Sequence, residues 1–152
     1  MEPRWVRRPV CGKTTVVRRR DQRRAAVFAL YQHDATGQEI EAALPRDAHT
    51  FTKALAQAVD DHREELDVLI ERHAQGWALD RIAPLERAIL RTALFEILHP
   101  DEVPGEQPIP AEGAIEEAVE TAKTFCSAQA PGFVNGILGA VLEELRQNPS
   151  TR

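Results

Sequence analysis

Cysteine and serine are almost absent from this sequence, and most covalent chemistry goes with them. Cys11 and Cys126 are the only cysteines among 152 residues. Two cannot build a disulfide framework, and both are expected to be reduced thiols. The only serines, Ser127 and Ser150, lack the strand, elbow and helix setting of an acyl-transfer nucleophile. Long apolar runs are missing too. Nothing reaches the roughly 18 consecutive apolar residues of a membrane span, and the first 24 residues hold no apolar block that would serve as a secretory signal. A cytoplasmic protein with no membrane attachment is expected.

Other chemistries fail on spacing. His33, His49, His62, His73 and His99 show neither the HxxxH nor the CxxC pattern, so no convergent metal ligands are offered along the chain, and His62 and His73 read as the ends of apolar stripes. Gly12, Lys13 and Thr14 look like the end of a phosphate-binding loop, but Arg7 stands where the first glycine is required. Acidic pairs such as Glu64 with Glu65 and Glu143 with Glu144 fall on faces expected to be solvated, where burial cannot tune a general acid or base. The chain is therefore read as no enzyme, with no metal and no cofactor.

What is present is charge, unevenly placed. Residues 1–24 carry nine basic groups (Arg4, Arg7, Arg8, Lys13, Arg18, Arg19, Arg20, Arg23 and Arg24) against Glu2 and Asp21, a net of +7. The remainder carries 10 basic against 22 acidic residues, a net of −12, which gives the overall −5. A pI near 5.6 argues against a polyanion partner only if the average is taken at face value. The polarisation between segments is the sign of a localised polyanion contact.

The length suits one domain. Residues 1–17 mix Pro3, Pro9 and Gly12 with scattered arginines and no apolar period, and read as a flexible basic extension; residues 148–152 read as a disordered tail. Between them, at 18–147, helical periods dominate. A helix is predicted from about Arg18 to Asp34 with Gly37 breaking it, then a short one over Glu39 to Leu44, stopped by Pro45. Phe51, Ala54, Leu55, Ala58 and Val59, then Leu66, Leu69, Ile70 and His73, predict two helices in series, ended by Gly76. Pro84 suits a helix start, and the run Leu85 to Leu98, apolar nearly all round, predicts the buried centre of the fold. Prolines 100, 104, 108 and 110 are expected to exclude regular structure from His99 to Pro110, with Pro110 opening the next helix, Ala111 to about Phe125. Val134, Ile137, Leu138, Val141, Leu142 and Leu145 mark the last helix. No strand alternation competes, so the class is all-α: six to seven helices in a compact bundle.

The candidate site is the arginine cluster. Arg19 with Arg23, and Arg20 with Arg24, are like-charge i, i+4 pairs near a helix N-terminus, where the macrodipole disfavours each cation by roughly 0.3 to 1 kcal/mol at low salt. The arginines share an arc with Val27, Leu30 and Tyr31, so the cationic turns are expected to project beyond the core or to be unwound until something anionic meets them. Arg18, Arg19, Arg20, Arg23 and Arg24 form a candidate phosphate-contacting arm, each neutralised phosphate also releasing counterions.

Three segments together resemble the NusB family. RRDQRRAAVFALY, Arg19 to Tyr31, is similar to its opening RRxARxxAxQALY; GWALDRIAPLERAILRTALFEI, Gly76 to Ile97, to its NWxLDRLxxVDRAILRLAxYEL; and AIEEAVETAKTFCSAQAPGFVNGIL, Ala114 to Leu138, to its AINEAVELAKKF followed by FVNGVL. Order and spacing agree over about residues 18–145. The resemblance implies two packed subbundles and no enzymatic activity. It further implies binding of the boxA element of ribosomal RNA leader transcripts together with the ribosomal protein NusE, the pair joining an antitermination complex on RNA polymerase. It places Arg19, Arg20 and Arg23 against RNA with Tyr31 further along the helix, Glu86 near the RNA and partner surface, and Phe133 at the opening of FVNG. Departures are Glu116 for the family's Asn, Asp21 inside the basic run, and a longer loop around Gly105 to Pro110. Trp77 is expected as a core or interface anchor, and Phe133 also reads as a staple of the last helix.

Two other readings stand beside RNA binding. One is a helical protein–protein interaction module acting through the acidic body; the other is an accessory domain of an RNA-modifying enzyme, for which the chain is expected to be too short to hold a cofactor-binding domain. A homodimer is left open, because an apolar stripe looks the same in a core and in an interface.

Overall fold

In a computed structural model, which describes residues 18–102 and 108–148, seven α-helices and two 3-10 turns occupy most of the chain. The helices are α1 (Arg19–Thr36), α2 (Ile40–Ala43), α3 (Thr50–Asp61), α4 (Arg63–His73), α5 (Pro84–Leu98), α6 (Ala111–Phe125) and α7 (Ala130–Gln147). Among the described residues there is no strand, and no helix is long and apolar enough to cross a membrane. The expected extension at 1–17 and the tail from 149 onward lie outside the described residues, as do Cys11 and the loop tip at 103–107.

The centre is α5. Pro84 opens it, where a missing N–H costs nothing, and every residue over 88–98 is buried. The polar groups in that stretch are all engaged: Thr92 Oγ1 donates to the Ala88 carbonyl at 2.8 Å, Arg91 to Asp67 at 2.7 Å, and Glu96 accepts from Arg23 at 3.0 Å. Buried polar atoms left unpaired would each cost a desolvation penalty. Around α5 the fold divides into two packed subbundles. α1 to α3 cover one side and α6 with α7 the other, while α4 packs on α5 and α7. Leu94, Phe95, Leu55, Leu66, Ile70 and Leu138 are among the largest fully buried side chains.

Helix boundaries follow local chemistry. α1 ends at Gly37, whose φ of 75° is left-handed and whose N–H closes on the His33 carbonyl at 3.0 Å. α3 and α4 are separated by His62 alone. The proline-rich segment departs from expectation: Pro100–Glu102 forms a 3-10 turn, closed by the Glu102 N–H on the His99 carbonyl at 3.0 Å. Proline cannot sit inside a helix, but at the first position of a turn it needs no donor and its φ is already suitable. Pro110 is the extended residue before α6 rather than its first helical one. Trp77 is 55% exposed, so it is no core anchor.

One charged network joins α1 to α4 and α5. The Asp34 carboxylate, at the end of α1, accepts from Arg87 Nε at 3.1 Å and Nη2 at 3.0 Å and from Arg63 at 2.8 Å, and lies 3.4 Å from Arg91. Burial works against this carboxylate, but the charges of Arg91 and Arg87, the Arg87 hydrogen bonds and Arg63 outweigh it and hold its pKa below the ordinary aspartate value. A lowered folded pKa means stabilisation that is present above the ordinary aspartate range, about 3.9, and lost as the pH falls through the folded value. Asp34→Asn leaves clustered guanidinium groups without their counter-charge. It is expected to lower the unfolding free energy by about 3–5 kcal/mol at neutral pH. In urea titrations the gap to wild type should close as the pH falls below the aspartate range; a gap independent of pH would refute the charge-based account.

Candidate nucleic-acid interface

The head of α1 sorts its arginines into two kinds. Arg18 is the extended residue before the helix, and Arg18, Arg19 and Arg20 are exposed. Arg19 lies with its guanidinium 4.0 Å over the Phe51 ring, a cation–π contact, and donates to Gln22 Oε1 at 3.1 Å. Arg20 reaches Glu117 of α6 only at 3.8 Å. The other two are embedded. Arg23 Nε donates to both Glu96 oxygens, at 3.1 and 3.0 Å, from α1 to the middle of the fold. Arg24 is 6% exposed, 5.4 Å from the Phe125 ring, and its Nε and Nη2 have no hydrogen-bond partner among the described residues. Burial, and next the like charge of Arg20, pull its pKa below the usual arginine value.

Of the expected projection or unwinding of the cationic turns, Arg18, Arg19 and Arg20 do project, whereas Arg23 and Arg24 do not and the helix is not unwound. α1 is helical from Arg19. The repulsion is relieved by carboxylates of α5 and α6 and by the faces of Phe51 and Phe125, partners far away in the chain that periodicity along one helix cannot reveal.

Beyond the arginines, α1 carries a rim of aromatic rings. Phe28 meets Phe125 edge to face at 5.0 Å and Tyr31 at 6.4 Å. Cys126 follows Phe125, and its thiol is pushed up to about 11, first by burial and then by the charge of Glu86. Burial also raises the Glu86 carboxyl. Glu86 lines a groove of about 430 Å³ with Trp77, Arg81, Gln129 and Phe133, between the 3-10 turn Leu79–Arg81 and the starts of α5 and α7. The predicted residues therefore fall into two places, the arginine head with Tyr31 along α1, and the groove of Glu86 and Phe133. Phe125 and Cys126 stand between them. Sequence reading missed Phe28, Phe51 and Phe125 as neighbours of the arginines. Phe28, one turn past Arg24, was the one visible signal; the packing of α6 on α1 was not.

Chemically, exposed guanidinium groups suit phosphates, ring faces and edges suit unstacked bases, and a half-buried carboxylate beside an exposed tryptophan suits a basic or amide donor. The profile of the NusB family matches residues 20–143. The chain belongs to the NusB family. Transcription antitermination protein NusB of Symbiobacterium thermophilum is 37% identical over 145 residues, spanning 84% of this chain and 91% of that protein. The structure of T. maritima NusB superposes with a TM-score of 0.72 at 30% identity, covering 86% of this chain and 94% of that one. A chain in the crystal structure of antitermination factors NusB and NusE in complex with dsRNA gives a TM-score of 0.68 at 26% identity, covering 83% and 96%. NusB, as the relative from Symbiobacterium thermophilum is named, is a transcription antitermination protein.

The sorting of the arginines has a measurable consequence. Glu96 is 2% exposed and its pKa is raised, first by burial, with Arg23 opposing. A raised carboxyl pKa means that stability is lost as the pH rises through the folded value. Arg23→Ala is expected to cost about 3–5 kcal/mol, more at neutral pH than in acid, because it strands a buried charge. Arg20→Ala, breaking a long exposed pair, is expected to cost at most about 1 kcal/mol. Equal losses in denaturant titrations would show that Arg23 is not a structural cation.

Proposed function

We propose that this chain binds the boxA element of ribosomal RNA leader transcripts together with the ribosomal protein NusE, and acts with it in the antitermination complex on RNA polymerase. The single observation that carries the RNA contact is the trio of exposed arginines, Arg18, Arg19 and Arg20, at the end of an aromatic rim formed by Phe28, Tyr31 and Phe125. Arg18, Arg19 and Arg20 meet phosphates directly. Arg24 supplies positive potential from beneath, and Arg23, paired with Glu96, holds the helix head in place. Tyr31 offers a ring to a base, while Glu86 and Phe133 form the adjoining groove for RNA or NusE. The neighbour solved with NusE and dsRNA supports the pairing of protein and RNA partners. The protein works in the cytoplasm, where transcripts are made, without catalytic step or cofactor.

A gel-shift series with a leader RNA containing boxA tests this. Affinity is expected to fall steeply with salt and to rise when NusE is added. Arg19→Ala with Arg20→Ala should reduce the slope of log affinity against log salt by about 0.7 for each lost single-strand phosphate contact. Unchanged binding and slope would remove the arginine head from the interface, and including a duplex competitor separates single-strand from double-strand preference. The second reading, a protein-interaction module without RNA, draws on the exposed Trp77 beside Phe133. Tight binding of NusE without RNA, combined with no RNA shift, would favour it.

A further inference from the structure

We propose that His62, Glu65 and His99, with Glu102 behind them, form a binding site for a divalent transition-metal ion of the zinc class. The site is assembled where α3 meets α4 and where α5 ends, on residues 37 positions apart in the chain for the two imidazoles. That separation is why spacing along the sequence excluded it. One ligand atom each from His62, Glu65 and His99 lie within 4.8 Å of one another. Ligands at ordinary zinc bond lengths stand about 3.4 Å apart on a tetrahedron. His99 Nε2 and Glu65 Oε1 stand 3.1 Å apart, a little inside that separation, and Glu65, on an exposed helix face, is free to turn outward to it.

The hydrogen bonds select the right nitrogens. His62 Nδ1 lies 2.8 Å from the Ala58 carbonyl; a carbonyl only accepts, so Nδ1 carries the proton. In the neutral ring this leaves the Nε2 lone pair facing Glu102 Oε2 at 3.6 Å, an acceptor against an acceptor with no proton to share, and so available to a cation. His99 has carboxylates at both nitrogens, Glu102 at 2.8 Å from Nδ1 and Glu65 at 3.1 Å from Nε2. With Nδ1–H donating to Glu102, Nε2 is the ligand, and the carboxylate–histidine–metal chain found behind metal-bound imidazoles is complete. The buried Phe95 ring holds both imidazoles, 5.2 Å from His62 and 5.5 Å from His99, and the two imidazole rings stand 4.4 Å apart. Their positions are set before any ion arrives.

The donor set chooses the class of ion. Two imidazoles with carboxylates suit zinc, cobalt, nickel or copper, whereas magnesium and calcium prefer oxygen alone. Three protein ligands leave a position for water. Two carboxylates balance the charge of the dication, so the bound site is neutral. His73 and His33 each meet a carboxylate too, Glu144 and Asp60, but each contributes a single imidazole.

The test uses the full chain stripped with a chelator, titrated calorimetrically with Zn2+ near neutral pH and followed with Co2+ by visible absorption. One equivalent of zinc is expected, with a Co2+ spectrum of low coordination number and a higher unfolding temperature in zinc. His62→Gln and His99→Gln should each weaken binding at least about tenfold, and Glu102→Gln by about 10–100-fold as an orienting partner. Glu65→Gln, on an exposed helix face, covers the case in which an imidazole variant fails to fold. Exposed His49→Gln should leave the isotherm unchanged. Zinc uptake that persists in the double variant His62→Gln with His99→Gln, or absent from wild type, would overturn the site.

Discussion

The structure depends on a carboxylate surrounded by guanidinium groups. Asp34 closes α1 against Arg63 of α4 and Arg87 and Arg91 of α5, and Arg91 passes the contact on to Asp67. Taking such charges out of water is costly, and only multiple hydrogen bonds with good geometry repay it. Here the same Arg87 also donates to the carbonyls of Leu79 and Ile82 at 3.1 Å. One guanidinium thus ties α1, α5 and the 3-10 turn that carries one wall of the groove beside Glu86. The network sets where α1 lies along α5, and with it where the arginine head at the other end of α1 emerges.

That head would be unfavourable in isolation. Like charges one turn apart at a helix N-terminus repel each other and oppose the dipole. The fold answers by division. Arg23 is taken into an ion pair with Glu96, Arg24 is laid under Phe125, and Arg18, Arg19 and Arg20 stay in solvent. Glu96 balances the charge of Arg23, which leaves Arg24 as the embedded cation whose Nε and Nη2 have no partner among the described residues. Those unpartnered nitrogens carry a desolvation cost that the fold bears at the head of α1.

Much of this was legible in the sequence because it is local. The apolar run after Pro84, the break at Gly37 and the stripes of α3, α4 and α7 depend on neighbours within a few turns, and they lie where the periods put them. The 3-10 turn at Pro100–Glu102 was not seen, since a proline-rich segment reads as irregular unless the start of a turn is considered. Pairings across the fold were invisible for a different reason. Nothing in the sequence tied Asp34 to Arg87 or Arg23 to Glu96, and of the core or interface place expected for Trp77, its 55% exposure removes the core. Family resemblance marked Glu86 and Phe133, but only packing shows that they share a groove.

α5 organises these features by its two ends. At 15 residues and 1.5 Å per residue it is about 22 Å long. Its first turn presents Glu86 to the groove, and its last residue leads into His99 and the imidazole pair. A ligand there would sit three residues beyond Glu96, the partner of Arg23. It would pin the joint of α3 and α4 to the end of α5, the edge of the subbundle whose other helix, α1, carries the arginines. Any coupling between ion and RNA would then have to pass through the rigidity of α1 to α3 against α5, which is the contact that Asp34 and Glu96 already hold from either end of α1.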